Sequence, residues 1–206
     1  MSLAYVILAG GRATRMGGGD KPLKRLGDRA ILDRVIDRLA APAGRLVLNA
    51  NADPGRFASY SLPVVSDALP DYPGPLAGIL AGLDWAVGQD GVTDILSVPG
   101  DCPFIPKNLA SRLLTGRAGA GTAFACAASD GWTHPVIGLW PISCRDDLRD
   151  ALVAGERKID RFTGRYGCAA VEWPHEGYDP FFNVNTPDEL LQAEALLPLV
   201  EGGQIP

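Results

Sequence analysis

Histidine is almost missing from this sequence, with only His134 and His175 among 206 residues. Two imidazoles are too few for a histidine-rich metal centre. Cysteine is scarce as well. Cys102, Cys126, Cys144 and Cys168 form no CxxC or other close pair, which argues against a zinc knuckle. They read as four small buried hydrophobes, Cys102 being set apart only by its neighbour Asp101. No run approaches the roughly 18 consecutive apolar residues of a membrane span. The opening MSLAYVILAGG has no basic segment before its short apolar run. It reads as a first core strand, so a cytoplasmic protein without membrane attachment is expected. Positive charge is not in excess: the net charge of −5 argues against a general nucleic-acid binder.

What the chain does contain is alternation. Short apolar runs at Tyr5–Ala9, Leu46–Asn49, Pro63–Val65, Ile95–Val98, Thr122–Cys126, Pro135–Trp140 and Ala169–Glu172 read as strands buried on both faces. Helical patterns lie between them. AILDRVIDRLA places Ile31, Leu32, Val35, Ile36 and Leu39 on one face. PLAGILAGLDWAV opens on Gly74-Pro75, with proline where a helix needs no donor. Residues 108–114, 146–154 and 188–197 complete the set, the last with Thr186 as cap and Glu189 reaching back in a capping box. Such alternation predicts an α/β fold, a three-layer, mostly parallel Rossmann-like sheet with helices on both faces. Ligands of such sheets bind beyond the carboxyl ends of the strands. LAGG, LNAN, Ser66-Asp67 and PGDCP each follow a predicted strand and are expected on one edge.

Charge and glycine concentrate at the first of these places. Residues 8–29 hold Arg12, Arg15, Lys21, Lys24, Arg25 and Arg29 against Asp20 and Asp28, a local +4 in an acidic chain. Gly10, Gly11, Gly17, Gly18 and Gly19 leave bare backbone N–H groups beside that charge. This combination suits a polyphosphate cradle. It is not a Walker A loop, because Asp20 precedes Lys21 and Pro22 follows it.

LAGGRATRMGGGDKPL resembles the signature loop of the MobA-like nucleotidyltransferases, with the molybdenum cofactor guanylyltransferase family as the closer match. The likeness continues through LNAN (48–51), Ser66-Asp67, DYPGPLAGIL (71–80), GDCPFIP (100–106), THPVIGLW (133–140) and FFNVNTPDEL (181–190). DYPGPLAG together with NVNTP sets this family apart from its cytidylyl relatives. The resemblance implies one nucleotidyltransferase domain over residues 1–200, with 201–206 as a flexible tail. It implies transfer of GMP from GTP to the terminal phosphate of molybdenum-molybdopterin, with Mg2+ as cofactor and pyrophosphate as product. Carried over by position, Leu8, Ala9, Gly10, Gly11 and Lys21 match the GTP-binding loop, and Asn49 and Asp67 match guanosine-side contacts. Asp101 matches the magnesium ligand, and Arg15 a loop arginine near the phosphates. Asn183 and Asn185 match a late motif near metal or pterin, and Gly74, Pro75 and Gly78 a helix start near the pterin. Lys21, Arg15 and Asp101 are the catalytic candidates. A monomer with transient contacts to cofactor-delivery and acceptor proteins is expected. The alternatives are a related enzyme using CTP or a sugar-phosphate acceptor, and a GTP-binding regulator without turnover.

Each residue also has a plain structural use. Asp101 can cap a helix after its strand, and Asp67, Asn49 and Asn51 can close turns. Gly74, Pro75 and Gly78 can serve close packing alone. His134, ahead of Pro135, reads as a hydrogen-bonded structural histidine, and the four tryptophans as core or surface aromatics.

Overall fold

A computed structural model describes residues 2–10, 20–67, 69, 74–175 and 177–202. In chain order its elements are β1 (Ser2–Leu8), a small hairpin of β2 (Arg25–Leu26) and β3 (Arg29–Ala30), α1 (Ile31–Leu39), β4 (Leu46–Asn49), β5 (Val64–Val65), α2 (Pro75–Val87), β6 (Val92–Pro99), α3 (Leu109–Ala120), β7 (Phe124–Ser129), β8 (Trp132–Pro141), α4 (Arg145–Val153), α5 (Ile159–Thr163), β9 (Cys168–Trp173) and α6 (Pro187–Glu201). Short 3-10 segments occupy Lys21–Leu23 and Pro54–Tyr60.

Seven strands form one sheet in the order β5-β4-β1-β6-β8-β7-β9. The contacts β5·β4, β4·β1, β1·β6 and β7·β9 are parallel, while β8 runs antiparallel to both its neighbours. The cause of the exception is local. Asp130 and Gly131 both take positive φ, at 50° and 75°, and such a two-residue turn returns the chain directly alongside β7. The returning strand fills the place between β6 and β7.

Strand side chains alternate between two cores. Tyr5, Ile7, Leu48, Leu96 and Val98 pack with α1, α3 and α6 on one face. Ala4, Val6, Val47 and Ile95 pack with α2, α4 and α5 on the other. The apolar stripe of α1 is therefore its core face, as its spacing predicts. Helix α2 is buried nearly all round, because the sheet covers one side and α4 the other. A Cβ at Gly82 would come within 2.5 Å of Val6, so this glycine is what lets α2 settle onto β1.

Several expectations need correction. The helix expected over 108–114 runs on to Ala120, through Gly116, where a Cβ would lie 2.4 Å from Val171. Close packing on β9 thus outweighs glycine's low helix propensity. Glu189 does not complete the expected capping box. Thr186 Oγ1 accepts from Glu189 N–H at 3.2 Å, but the Glu189 carboxylate takes the N–H of Asn185, at 2.7 Å, instead of that of Thr186. Cys126 and Cys168, far apart in sequence, lie diagonally on neighbouring β7 and β9, where Cys126 pairs with Ala170 and Cys168 with Phe124, and their mutual interaction raises the first thiol's pKa and lowers the second's. The expected loose tail is helical at Glu201, and beyond Gly202 it lies outside the described residues.

Candidate active site

Parallel β5, β4, β1 and β6 end side by side at Val65, Asn49, Leu8 and Pro99. Backbone bonds carry the ladder one step further: Ala9 N–H to Asn49 O at 2.8 Å, Gly100 N–H to Leu8 O at 3.0 Å and Ala50 N–H to Val65 O at 2.9 Å. The residues after each strand are thereby held at fixed spacing, and the described residues of all four polar motifs stand on one edge. Leu8 is half-buried, Ala9 buried and Gly10 exposed. Gly11 and Arg15, like Arg12 and Gly17–Gly19, lie outside the described residues.

Lys21 opens the 3-10 turn that follows the glycine loop. Its neighbour Pro22 is buried and packs at Gly100, where a Cβ would lie 3.1 Å from the proline ring. This anchor aims Lys21 across the end of β6. Its Nζ donates to Asn185 Oδ1 at 2.6 Å and lies 3.7 Å from Asp101 Oδ2. Both charged side chains are largely covered, 18% and 19% exposed. Burial pushes the Asp101 carboxyl pKa up, and Lys21 only partly draws it back. Such a carboxylate has room to gain from a further cation.

The late motif is strapped to this point. Val184 N–H donates to Asp101 O at 3.0 Å, and Glu189 holds the backbone of Asn185. The Cys102 thiol reaches Phe181 O at 3.7 Å and also Asn183 Oδ1. Burial drives that thiol's pKa well up, so it stays neutral and serves as a donor. Lys21, Asp101, Cys102, Asn183 and Asn185 thus form one cluster, although 164 positions separate the first from the last.

A second cluster stands two strands away. Asn49 is buried, and its Nδ2 donates to Asp67 Oδ1 at 3.0 Å and to Val65 O at 3.3 Å. Asn51 Nδ2 donates to Asp67 Oδ2 at 2.7 Å while its Oδ1 accepts from Asp67 N–H at 2.9 Å. The two amides use both carboxylate oxygens of Asp67. Gly78, on the first turns of α2, makes room for this: a Cβ there would fall 2.2 Å from Asn49 Oδ1. Gly74 takes φ 123°, in the range that favours glycine, and with Pro75 it forms the exposed start of α2.

Arg56 joins the clusters, and sequence reading missed it. It forms an ion pair with Asp20 and donates to Asn51 O at 2.6 Å and Asp53 O at 2.9 Å. One guanidinium therefore ties the residue before Lys21 to the loop after β4. The available signal was Asp53-Pro54-Gly55-Arg56, a capped turn directly after LNAN. A separate concavity of about 770 Å³ opens between α1, α3 and α6, with Arg38, Phe104, Arg112 and Tyr178 in its wall and none of the clustered residues.

Chemically, the edge offers a cation, a largely covered carboxylate and several amides near adjacent strand ends. Comparison with known proteins agrees with a nucleotide-handling role. Residues 5–170 match the family described as MobA-like NTP transferase domain. A molybdenum cofactor guanylyltransferase of Rhodopseudomonas palustris strain BisB5 is 54% identical over 193 residues, covering 93% of this chain and 92% of the relative. Another of that name from Nitrobacter hamburgensis is 54% identical over 200 residues, covering 96% and 95%. The crystal structure of molybdopterin-guanine dinucleotide biosynthesis protein A from Archaeoglobus fulgidus superposes with a TM-score of 0.72 at 24% identity, over 95% of this chain and 99% of that one. At that identity it speaks for the fold alone. The family match and the curated relatives speak for more: this chain belongs to the MobA-like NTP transferase family, among the molybdenum cofactor guanylyltransferases.

Proposed function

We propose that this protein transfers GMP from GTP to the terminal phosphate of molybdenum-molybdopterin, giving the guanine dinucleotide cofactor and pyrophosphate. The observation that carries the reading is the meeting of Lys21, Asp101 and Asn185 at one strand end, in a chain 54% identical to relatives bearing that activity in their name. In this reading an oxygen of the acceptor phosphate attacks the α-phosphorus of GTP. A new P–O bond forms as the bond to the β-phosphate oxygen breaks, and pyrophosphate leaves with that electron pair. A phosphate monoester with a second pKa near ~6 is already mostly ionised at neutral pH, so no general base is required.

The chain's own residues position and neutralise. Lys21 places positive charge against the phosphates, and the glycine loop supplies backbone donors. Asn185 keeps the lysine aimed, while Cys102 and Glu189 keep the late segment against Asp101. Asn49 and Asp67 border the nucleoside side. Asp101 fits a magnesium site by its chemistry: it is a hard oxygen donor, and no cage of three or more His, Cys, Asp or Glu side chains occurs among the described residues. Magnesium favours such a site, with one or two carboxylates completed by substrate phosphates and water. When bound there it would supply Lewis-acid stabilisation of the phosphoryl charge.

The test is pyrophosphate release from each of the four nucleoside triphosphates, with magnesium and molybdenum-molybdopterin. GTP is expected to be consumed, with chelation of magnesium stopping turnover and its return restoring it. Turnover with CTP while GTP stays inert would overturn the guanine assignment.

A further inference from the structure

Three polar residues at the far end of the same sheet edge remain unused by this chemistry: Ser129, His134 and Asp179. Strand β8 pairs Gly138 with Ser97 of antiparallel β6, so residues before Gly138 continue toward the carboxyl end of β6, where Asp101 stands. His134 is one of them, and it pairs with Ala127 of β7 on its other side. Its ring centroid lies 4.9 Å from that of Phe181, whose carbonyl receives the Cys102 thiol. Contacts through Phe181 and Cys102 thus link His134 to the Asp101 segment, on the flank of β6 away from Asn49 and Asp67.

Proton counting fixes its tautomer. Buried Ser129 places Oγ 2.7 Å from His134 Nε2 and 2.9 Å from Asp179 Oδ1. An ionised carboxylate only accepts, so the single hydroxyl proton goes to Asp179, and Nε2 must carry a hydrogen that it donates to Oγ. Asp179 Oδ1 also accepts from Phe181 N–H at 2.9 Å, which locks the relay to the late segment. In the neutral ring, the form that burial favours, Nδ1 is then a bare lone pair. It has no hydrogen-bond partner among the described residues, and no unsatisfied side-chain N or O is buried there, so this atom opens to solvent. Burial lowers the imidazole's pKa, against the carboxylates of Asp179 and Glu172, which raise it.

We propose that His134 binds the acceptor substrate: Ser129 and Asp179 hold it as the Nε2–H tautomer, and Nδ1 takes a hydrogen bond from an N–H donor on the acceptor's heterocycle. A pterin ring carries such donors in its amide N–H and exocyclic amine. The assignment rests on the transferase reading above, with the acceptor lying beyond Asp101 from the nucleoside.

Calorimetric titration of the full chain with molybdopterin, and separately with GTP and magnesium, tests it in wild type, His134→Gln and His134→Asn. Glutamine keeps a donor near the Nε2 position and removes the Nδ1 acceptor. Asparagine keeps a polar atom near Nδ1 and gives up the bond to Ser129. His134→Gln is expected to weaken molybdopterin binding about tenfold, the size of one lost hydrogen bond, with GTP affinity and melting temperature unchanged. His134→Asn is expected to hold acceptor affinity within about threefold while melting lower. Wild-type acceptor affinity in His134→Gln overturns the assignment, as does equal loss of both ligands, which would make His134 structural only. If His134→Gln does not fold, diethyl pyrocarbonate labelling of wild-type His134, read by mass spectrometry, decides: molybdopterin should block it, and unchanged labelling refutes the contact. Failure of the functional reading looks different, since a protein that binds molybdopterin through His134 yet releases no pyrophosphate from GTP keeps this site and loses the transfer.

Discussion

At the scale of the residue, Asp101 sets folding against the role proposed for it. Burial raises its pKa, Glu189 adds repulsion, and Lys21 offsets only part of this. A carboxyl whose folded pKa exceeds its unfolded value stabilises the fold in its protonated form. That contribution is complete below the unfolded pKa and is lost as pH rises through the folded one. At neutral pH the ionised group therefore costs the ligand-free protein stability. Asp101→Asn is expected to melt on the order of 1–3 °C above wild type at pH 7, with the gain shrinking toward about pH 4. Turnover of the same variant, and of Lys21→Ala, should fall on the order of 10² or more. A lower melting temperature at pH 7 would mean that the lysine outweighs burial. Wild-type rates would remove either residue from the proposed chemistry.

At the scale of the element, the first turns of α2 pack on Asn49, so Gly78, which the resemblance implied near the pterin, adjoins a residue proposed for the nucleoside side. Gly78→Ala would drive a methyl group into Asn49 Oδ1, 2.2 Å from the ideal Cβ position. The helix tolerates alanine, so the strain falls on Asn49 and through it on Asp67. Overpacking of this kind costs about 1–3 kcal/mol. The expected result is a raised KM for GTP with a smaller change in kcat, read from initial rates at saturating acceptor. An unchanged KM for GTP would detach this cluster from nucleotide binding.

At the scale of the whole molecule, a largely covered ion pair ties helix α3 to the central strand β6. Arg117 on α3 donates to Asp94 on β6 at 2.6 Å, with side chains only 10% and 7% exposed. Removing Asp94 takes the carboxylate from a largely covered guanidinium, which is costly where water is scarce. Asp94→Ala is expected to lower stability by about 3–5 kcal/mol in urea unfolding, far more than an exposed pair such as Arg29 with Asp37 would cost. A loss below about 1 kcal/mol would show that water or the other contacts of Arg117 replace the carboxylate.

Periodicity alone determined the strands of the large sheet, the faces of α1 and the edge on which LAGG, LNAN, Asp67 and Asp101 stand, because burial on two faces and helical spacing leave their marks within a few residues. The hairpin β2–β3 and α5 were missed because two-residue strands and a five-residue helix carry too little pattern to read. Tertiary structure alone decided which polar groups meet. Lys21 finds Asn185, Arg56 bridges Asp20 to Asn51, and Ser129 stands between His134 and Asp179. These contacts join segments whose separation in the chain says nothing of their distance, and hydrogen bonds require a geometry that only the assembled sheet supplies.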